Sequence, residues 1–327
     1  MRTSDKQGGW DPAVEGLRSE LLGYCYRMMG SIFEAEDAVQ DTMLRVWQSR
    51  DQLRQDTSLR AWMYRIATNI CLDKLRNAKR RALPMDMTDA AAVVVEPVEQ
   101  WPNSSWVWPA PDSLGSPADI VVGRETVRLA FLALLQSLPP RQRAVLILLD
   151  VFRWSARETA ESLEMTVAAV NSASQRAREK IRRAELRSDV LREGDYGVVE
   201  ADRSLLDRYV EAFERYDIEA LVALFHENGS LSMPPYPMWV SGRASLASFY
   251  QATRHHCAGS RLLPVWANGC PAFGQYVPAG GEGGGYRPWC IHVLEIQNAK
   301  LVHLHNFIDT PLFERFGLPS RLDAGRV

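Results

Sequence analysis

Apolar residues recur at helical spacing through residues 12–82 of this chain. Leu17, Leu21, Leu22, Tyr24 and Cys25 make the first run, and Gly30 ends it. Ser31-Ile-Phe-Glu34 then has the spacing of a capping box, in which serine and glutamate side chains each accept from the other residue's free backbone N–H. It opens a second helix whose apolar stripe is Ala35, Ala38, Val39, Met43, Val46 and Trp47, leaving Glu36, Asp37, Gln40, Asp41 and Arg45 polar. A third run, from Ser58 to Arg81, puts Leu59, Trp62, Met63, Ile66, Ile70 and Leu75 on a buried face. Its other side and tail carry Arg60, Arg65, Asn69, Asp73, Lys74, Arg76, Lys79, Arg80 and Arg81.

The period stops at residue 83. Residues 83–123 hold six prolines and three tryptophans (Trp101, Trp106, Trp108) and predict a long linker with little regular structure between two domains. Tryptophans held in solvent are wasteful, so the linker is expected to bind something. Helical spacing returns over 124–192, first as two apolar helices broken at Pro139-Pro140. A second capping box, Ser155-Ala-Arg-Glu158, starts a short helix ending near Leu163. After the turn Glu164-Met165, Thr166 caps the next helix. Two short helices about a three-residue turn follow the helix-turn-helix plan, whose second helix enters the DNA major groove. Val170, Ala177 and Ile181 face inward on it, while Asn171, Ser172, Gln175 and Arg176 are placed for base edges or phosphates.

From residue 200 the pattern changes again. Two helices (Leu205 to Tyr216, Ile218 to Phe225) precede a turn at Asn228-Gly229, and a third covers GRASLASFYQAT. Extended runs around LLPVWA, FGQYV, WCIHVLEI and KLVHLHNFI follow, separated by Gly-rich or Asn-containing turns. Helices followed by a meander of strands predict an α+β domain.

Charge sharpens this division. The net −2 conceals 14 bases against 11 acids in residues 1–82, 6 acids and no base in 83–123, 13 against 8 in 124–192, and 11 against 15 in 193–327. Two basic blocks suited to phosphate contact thus flank an acidic segment and precede a mildly acidic domain. The chain lacks an uninterrupted apolar stretch of about 18 residues, and its start lacks a signal peptide's apolar core. A cytoplasmic protein without a membrane segment is expected. The five cysteines, without CxxC spacing, read as reduced thiols, and neither a cofactor nor a metal site is expected.

The order of these motifs resembles the extracytoplasmic-function group of the sigma-70 family. EAEDAVQDTMLRVW (Glu34 to Trp47) is similar to the family's region 2 helix that docks on bacterial core RNA polymerase, which implies Asp37, Gln40, Asp41 and Arg45 as polymerase contacts. LRAWMYRIATNICLDKLRNAKRR is similar to the segment that melts and reads the −10 promoter element. That implies Asn69, Asp73 and Arg76 near a flipped base, with Lys79, Arg80 and Arg81 on phosphates. LPPRQRAVLILLDVFRWSARETAESLEMTVAAVNSASQRAREKIRR resembles region 4, which implies that Thr166, Asn171, Ser172, Gln175 and Arg176 meet the −35 element. Where many members carry Lys and Arg early in the recognition helix, this chain has Asn171-Ser-Ala-Ser-Gln175. The linker of such proteins passes through polymerase near the template strand.

LLDRYVEAFERYDIEALVALFHENGSLSMPP followed by SGRASLASFY resembles the SnoaL-like members of the nuclear-transport-factor-2 superfamily, a curved sheet wrapped by helices into a cone. The expected fold class is therefore multidomain: two all-α sigma domains at 12–82 and 124–192, the linker at 83–123, and an α+β cone at 200–327. The resemblance implies control from within the chain, the cone and its loop Ala279 to Gly285 touching regions 2 and 4 or their linker. Tyr209, Trp239, His303, His305 and Asp309 are candidates to line a small-ligand pocket in the cone, with His292 on the strand beside the two histidines. The expected partners are bacterial core RNA polymerase, promoter DNA and a small ligand of the cone. The alternative is a cone-fold enzyme or ligand sensor fused to a DNA-binding module that regulates its own gene.

Overall fold

The computed structural model describes residues 12–49, 58–76, 78–91, 99–114, 128–185, 200–280 and 284–323. The chain divides into two compact units. One gathers Met1–Ala78, Ser113–Arg124 and Leu138–Arg182, and the other Lys79–Asp112, Glu125–Ser137 and Arg183–Val327.

The first unit is helical. It begins with α1 (Pro12–Gly16), α2 (Arg18–Met29), α3 (Ile32–Ser49) and α4 (Leu59–Leu75). Gly30 ends α2 in the left-handed region (φ 70°), its N–H on the Tyr26 carbonyl, a conformation that a Cβ would penalise. The buried side of α3 is Ile32, Ala35, Ala38, Val39, Thr42, Met43 and Val46. Trp47, expected in that stripe, is 60% exposed. It lies three residues beyond Leu44 and seven beyond Gln40, and that spacing puts it on the polar side. Ser58 caps α4, whose buried face is Trp62, Met63, Tyr64, Ala67, Thr68 and Cys71. Leu59, Ile66, Ile70 and Leu75, expected on that face, are only half-buried.

The helix α5 (Leu129–Gln136) belongs to the second unit, but its successors return to the first: α6 (Pro140–Leu146), running on into a π-turn over Ile147–Val151, then α7 (Ala156–Leu163) and α8 (Val167–Glu185). Pro140 at the first turn of α6 loses no intrahelical bond. The box before α7 forms in both directions, Glu158 N–H to Ser155 Oγ at 3.2 Å and Ser155 N–H to Glu158 Oε2 at 2.7 Å. Thr166 Oγ1 accepts from Ala169 N–H at 3.1 Å and caps α8.

These helices share one core with α2–α4. Tyr64 lies 5.0 Å from Tyr24, 5.7 Å from Phe152 and 4.8 Å from Trp154, ring to ring. Such pairs each add about 0.5–1.5 kcal/mol beyond the area they bury. Arg143 is buried in the same unit and donates to the carbonyls of Met28 and Leu138.

The second unit is built on a six-stranded sheet in the order β2-β1-β6-β5-β4-β3. After α9 (Glu200–Arg215) and α10 (Ile218–Leu224) come β1 (Phe225–Ser232) and β2 (Trp239–Ser241), then α11 (Arg243–Cys257). The meander β3 (Arg261–Ala267), β4 (Cys270–Pro278), β5 (Tyr286–Gln297) and β6 (Lys300–Phe307) follows, with a last short helix, α12 (Leu312–Arg315). Only β1 and β6 run parallel. Asn228-Gly229, expected as a turn, lies inside β1, where the pairing to β6 skips between Phe225 and Ser230. A Cβ at Gly229 would meet the carbonyl oxygens of His226 and Leu301 at 3.0 Å, so a larger residue would have to push this backbone apart by a few tenths of an ångström. Of the loop Ala279 to Gly285, residues 281–283 lie outside the described residues.

The linker's described residues up to Asp112 are part of this unit. Trp106 and Trp108 are buried, and Trp108 lies 5.9 Å from Phe307. Two clips hold the segment. At one, the Trp239 indole N–H donates to the Thr88 carbonyl (2.8 Å), Ala91 N–H to the Trp239 carbonyl (2.8 Å) and Trp101 N–H to the Pro235 carbonyl (3.0 Å). At the other, Ala110 and Asn268 exchange two bonds, and Gly269 N–H donates to Asp112. The segment has three short 3₁₀ turns, yet packing rather than regular structure fixes it.

Candidate functional site

On α3, Asp37, Gln40, Asp41 and Arg45 are exposed. Leu44 (52% exposed) and Trp47 lie among them, which gives this strip an apolar centre that its polar residues alone do not announce. On α4, Asn69, Asp73 and Arg76 are exposed on successive turns, and Arg76 pairs with Asp73 at 2.6 Å. The two strips meet. Lys74 Nζ lies 2.9 Å from Asp41, and that bond, with Asp37 and Glu34 nearby, raises the lysine pKa. A groove of about 820 Å³ between the helices is lined by Asp41, Leu44, Arg45, Asn69 and Asp73, among others.

The basic tail of this segment lies in the second unit and divides. Lys79 and Arg80 are exposed, but Arg81, expected on a phosphate, is 3% exposed and donates to the Trp106 carbonyl. A guanidinium held inside the linker's own fold is not presented to DNA in this conformation.

On α8, Val170, Ala173, Ala177 and Ile181 are buried, while Thr166, Asn171, Ser172, Gln175 and Arg176 are exposed. Val167, 44% exposed at the helix start, presents methyl groups beside them, which the motif did not single out. Farther along, Arg178 is drawn back to Asp150.

In the second unit the five residues expected to share a pocket separate. Trp239 holds the linker. His303 and His305 lie on one face of β6, hydrogen-bonded to Ser230 (2.6 Å) and Ser232 (2.9 Å), with His305 Nε2 3.4 Å from Glu295. Burial lowers the His303 pKa. Burial would raise the Glu295 carboxyl, but the bond and charge of His305, with His303 and Arg128, hold it at about 2. Asp309, half-buried, accepts from Asn103 at 3.5 Å, and burial raises its pKa. Tyr209 is fully buried and bonded to His292 Nδ1 at 2.8 Å. Sequence alternation places His303 and His305 together, but it does not say which face of the strand looks into the cone.

The cavity lies on the opposite face. Its volume is about 250 Å³, and its lining includes Tyr216, Tyr250, Gln275, His292 and Asn306. His292 pairs across the strands with Asn306, not with His305. Gln275 donates to Ser260, so its oxygen accepts from His292 Nε2 (3.0 Å), which leaves Nδ1 to accept from Tyr209. The ring is therefore neutral, and burial lowers its pKa to about 3. Burial also raises the pKa values of Tyr216, Tyr250, Cys257 and Cys290, and the lining contains no carboxylate. Such a lining offers shape and hydrogen bonds, with the exposed His256 as its second imidazole. Among the described residues no group of three His, Cys, Asp or Glu is placed to hold a metal, and no helix is long and apolar enough to cross a membrane.

Three family models match the chain: sigma-70 region 2 over residues 13–81, sigma-70 region 4 over 128–181, and a SnoaL-like domain over 206–304. The chain is 40% identical over 324 residues to the ECF RNA polymerase sigma factor SigG of Mycobacterium tuberculosis, which covers 97% of this chain and 86% of that protein. It is 31% identical over 212 residues to SigJ of the same organism, covering 65% and 61%. In fold it is similar to the SigJ crystal structure, at 23% identity, with a TM-score of 0.59 over 94% of this chain and 99% of that one.

Proposed function

As the chain belongs to the extracytoplasmic-function group of RNA polymerase sigma factors, we propose that its two units divide the work of promoter-directed transcription initiation and its control. The α3 strip of Asp37, Gln40, Asp41 and Arg45, with Leu44 and Trp47, docks on core polymerase. Asn69, Asp73 and Arg76 receive the −10 element, and Lys79 and Arg80 hold its phosphates. The exposed strip of α8, from Thr166 to Arg176, reads the −35 element. The protein performs no chemistry of its own. It lends promoter choice to the polymerase.

The observation that carries this reading is the groove between α3 and α4, where Asp41, Leu44 and Arg45 of one set and Asn69 and Asp73 of the other line one surface. A self-standing repressor needs the helix-turn-helix alone and has no use for such a groove. Control by the carboxy-terminal domain rests on the linker, whose described residues 79–91 and 99–112 are seated in the unit that contains the cone. A linker held there is withheld from a path through polymerase.

Run-off transcription with bacterial core polymerase tests the reading, comparing the full chain with one ending near Glu193 across a promoter library. Defined start sites with both chains are expected, with a higher yield from the shorter one, whose linker has lost its seat. If neither chain initiates nor co-migrates with core polymerase, the reading fails.

A further inference from the structure

The rotation of α8 is fixed from beneath. Val170 and Ala173 pack with Val145 of α6 and Ala160 of α7 in one small core, with Leu163 and Met165 against it. Ala177 and Ile181 continue the buried side. A helix pinned along that line turns its opposite side outward. Two rows of exposed residues, each at four-residue spacing, make up that side: Val167, Asn171 and Gln175 in one, Ala168, Ser172 and Arg176 in the other.

What this side omits is as informative as what it carries. From Val167 to Gln175 it holds neither a cation nor a carboxylate. In the major groove, guanine is read by the donors of Arg or Lys, and cytosine by a carboxylate that accepts from its amino group. Adenine is read by the amide of Asn or Gln, which donates to N7 and accepts from N6, and thymine by apolar contact with its methyl. Asn171 and Gln175 supply the first of these last two chemistries, and Val167, 44% exposed, supplies the second. Ser172 suits either kind of base pair, and Ala168 leaves room for close approach. The cations farther on are drawn along the protein: Arg178 bonds to Asp150 at 2.9 Å and Arg182 to Glu179 at 2.7 Å. Arg176 is the first charge that the outward rows present. From Val167 to Gln175 the helix rises about 12 Å, which matches roughly three to four base-pair steps of about 3.4 Å.

We propose that α8 selects a run of about three to four A·T pairs in the −35 element, with Asn171 and Gln175 on adenines and Val167 on a thymine methyl. Guanine is accepted only at the end of the run, where Arg176 stands. The proposal rests on α8 as the reader of the −35 element and adds which bases it takes.

Holoenzyme assembled from the full chain and bacterial core polymerase selects DNA from a promoter library randomised across both elements, and the bound fraction is sequenced. An A·T run is expected at −35, and Asn171→Arg changes one adenine of it to guanine. In a selected promoter each thymine of the run is then replaced by deoxyuridine, which keeps the base pair and removes only the methyl. One such replacement weakens binding about fourfold, the worth of one buried methyl, and has no effect in Val167→Ala. A sharply selected element with guanine or cytosine through these positions overturns the base assignment while α8 stands as the reader. Deoxyuridine without effect in the parent chain, or with equal effect in Val167→Ala, takes Val167 off the thymine. A library with no preference at −35, from a holoenzyme that still selects at −10, removes α8 as the reader and the proposal with it.

Discussion

Lys74 on α4 and Asp41 on α3 face each other across 2.9 Å at the head of the groove they share. The pair links the helix assigned to polymerase with the helix assigned to promoter DNA. Both side chains are partly exposed, so the contact contributes under about 1 kcal/mol to stability and leaves Asp41 able to change partners.

Replacing Asp41 with Ala therefore spares the fold and weakens polymerase association. An affinity loss of about tenfold, with a melting temperature within a few degrees of the parent, is the expected result of competition binding against core polymerase. Undiminished association would place the polymerase contact elsewhere.

Arg176 is exposed on α8 beside Gln175. Its replacement by Ala costs about 1–3 kcal/mol on promoters carrying the preferred −35 sequence and little on scrambled ones if it reads a base. Footprinting titrations on both sequences make the comparison. An equal loss on each assigns the residue to phosphate.

The three basic residues at 79–81 separate by mechanism. Lys79→Ala and Arg80→Ala each lower the slope of binding against log salt by about 1, the signature of one phosphate contact. Arg81→Ala leaves that slope alone and destabilises the second unit by about 1–3 kcal/mol, because it strips the Trp106 carbonyl of a buried donor. A salt slope that falls in Arg81→Ala would show that the guanidinium leaves its buried site to meet DNA.

His292 makes the second unit sensitive to acid. Its pKa is lowered from 6.5 to about 3, so between these values the unfolded chain binds a proton that the folded chain does not. The ring's contribution is complete above pH 6.5 and is lost as the pH falls toward 3, at about 1.4 kcal/mol per unit. Roughly 2 kcal/mol disappears between pH 6.5 and 5. Glu295 acts lower, between its ordinary 4.5 and about 2, and does not intrude on that window. Urea unfolding at several pH values shows the slope in the parent chain and a shallower one in His292→Gln, where His303, whose pKa burial also lowers, still contributes. Parallel lines would remove His292 as the cause.

Element types were legible in the sequence wherever a local rule governed them. The box at Ser155 and Glu158, the cap at Thr166 and the stop at Gly30 each involve groups within four residues, and each forms as read. Failures came where a distant partner decides. Trp47 stands next to a buried stripe, and only the edge of the helix packing separates it from Val46. Arg81 has the composition of a phosphate ligand, yet a carbonyl 25 residues on claims it. Asn228-Gly229 carries a turn signal that a parallel partner strand converts into a bulge. In the cone the strands were found but the inward face was not. His292 and His305 belong to neighbouring strands, and nothing local distinguishes the side that meets the cavity from the side that meets Glu295.

The seat of the linker also has a meaning in time. Trp106 and Trp108 leave the ribosome about 200 residues before Phe307, the last residue of β6 and the one against which Trp108 packs. At typical rates of synthesis of 5–20 residues per second, that interval is roughly 10–40 s. Throughout it α1–α4 are already made while the surface awaiting the linker is incomplete. A chain cut short before β6 carries two large rings with nowhere to lie.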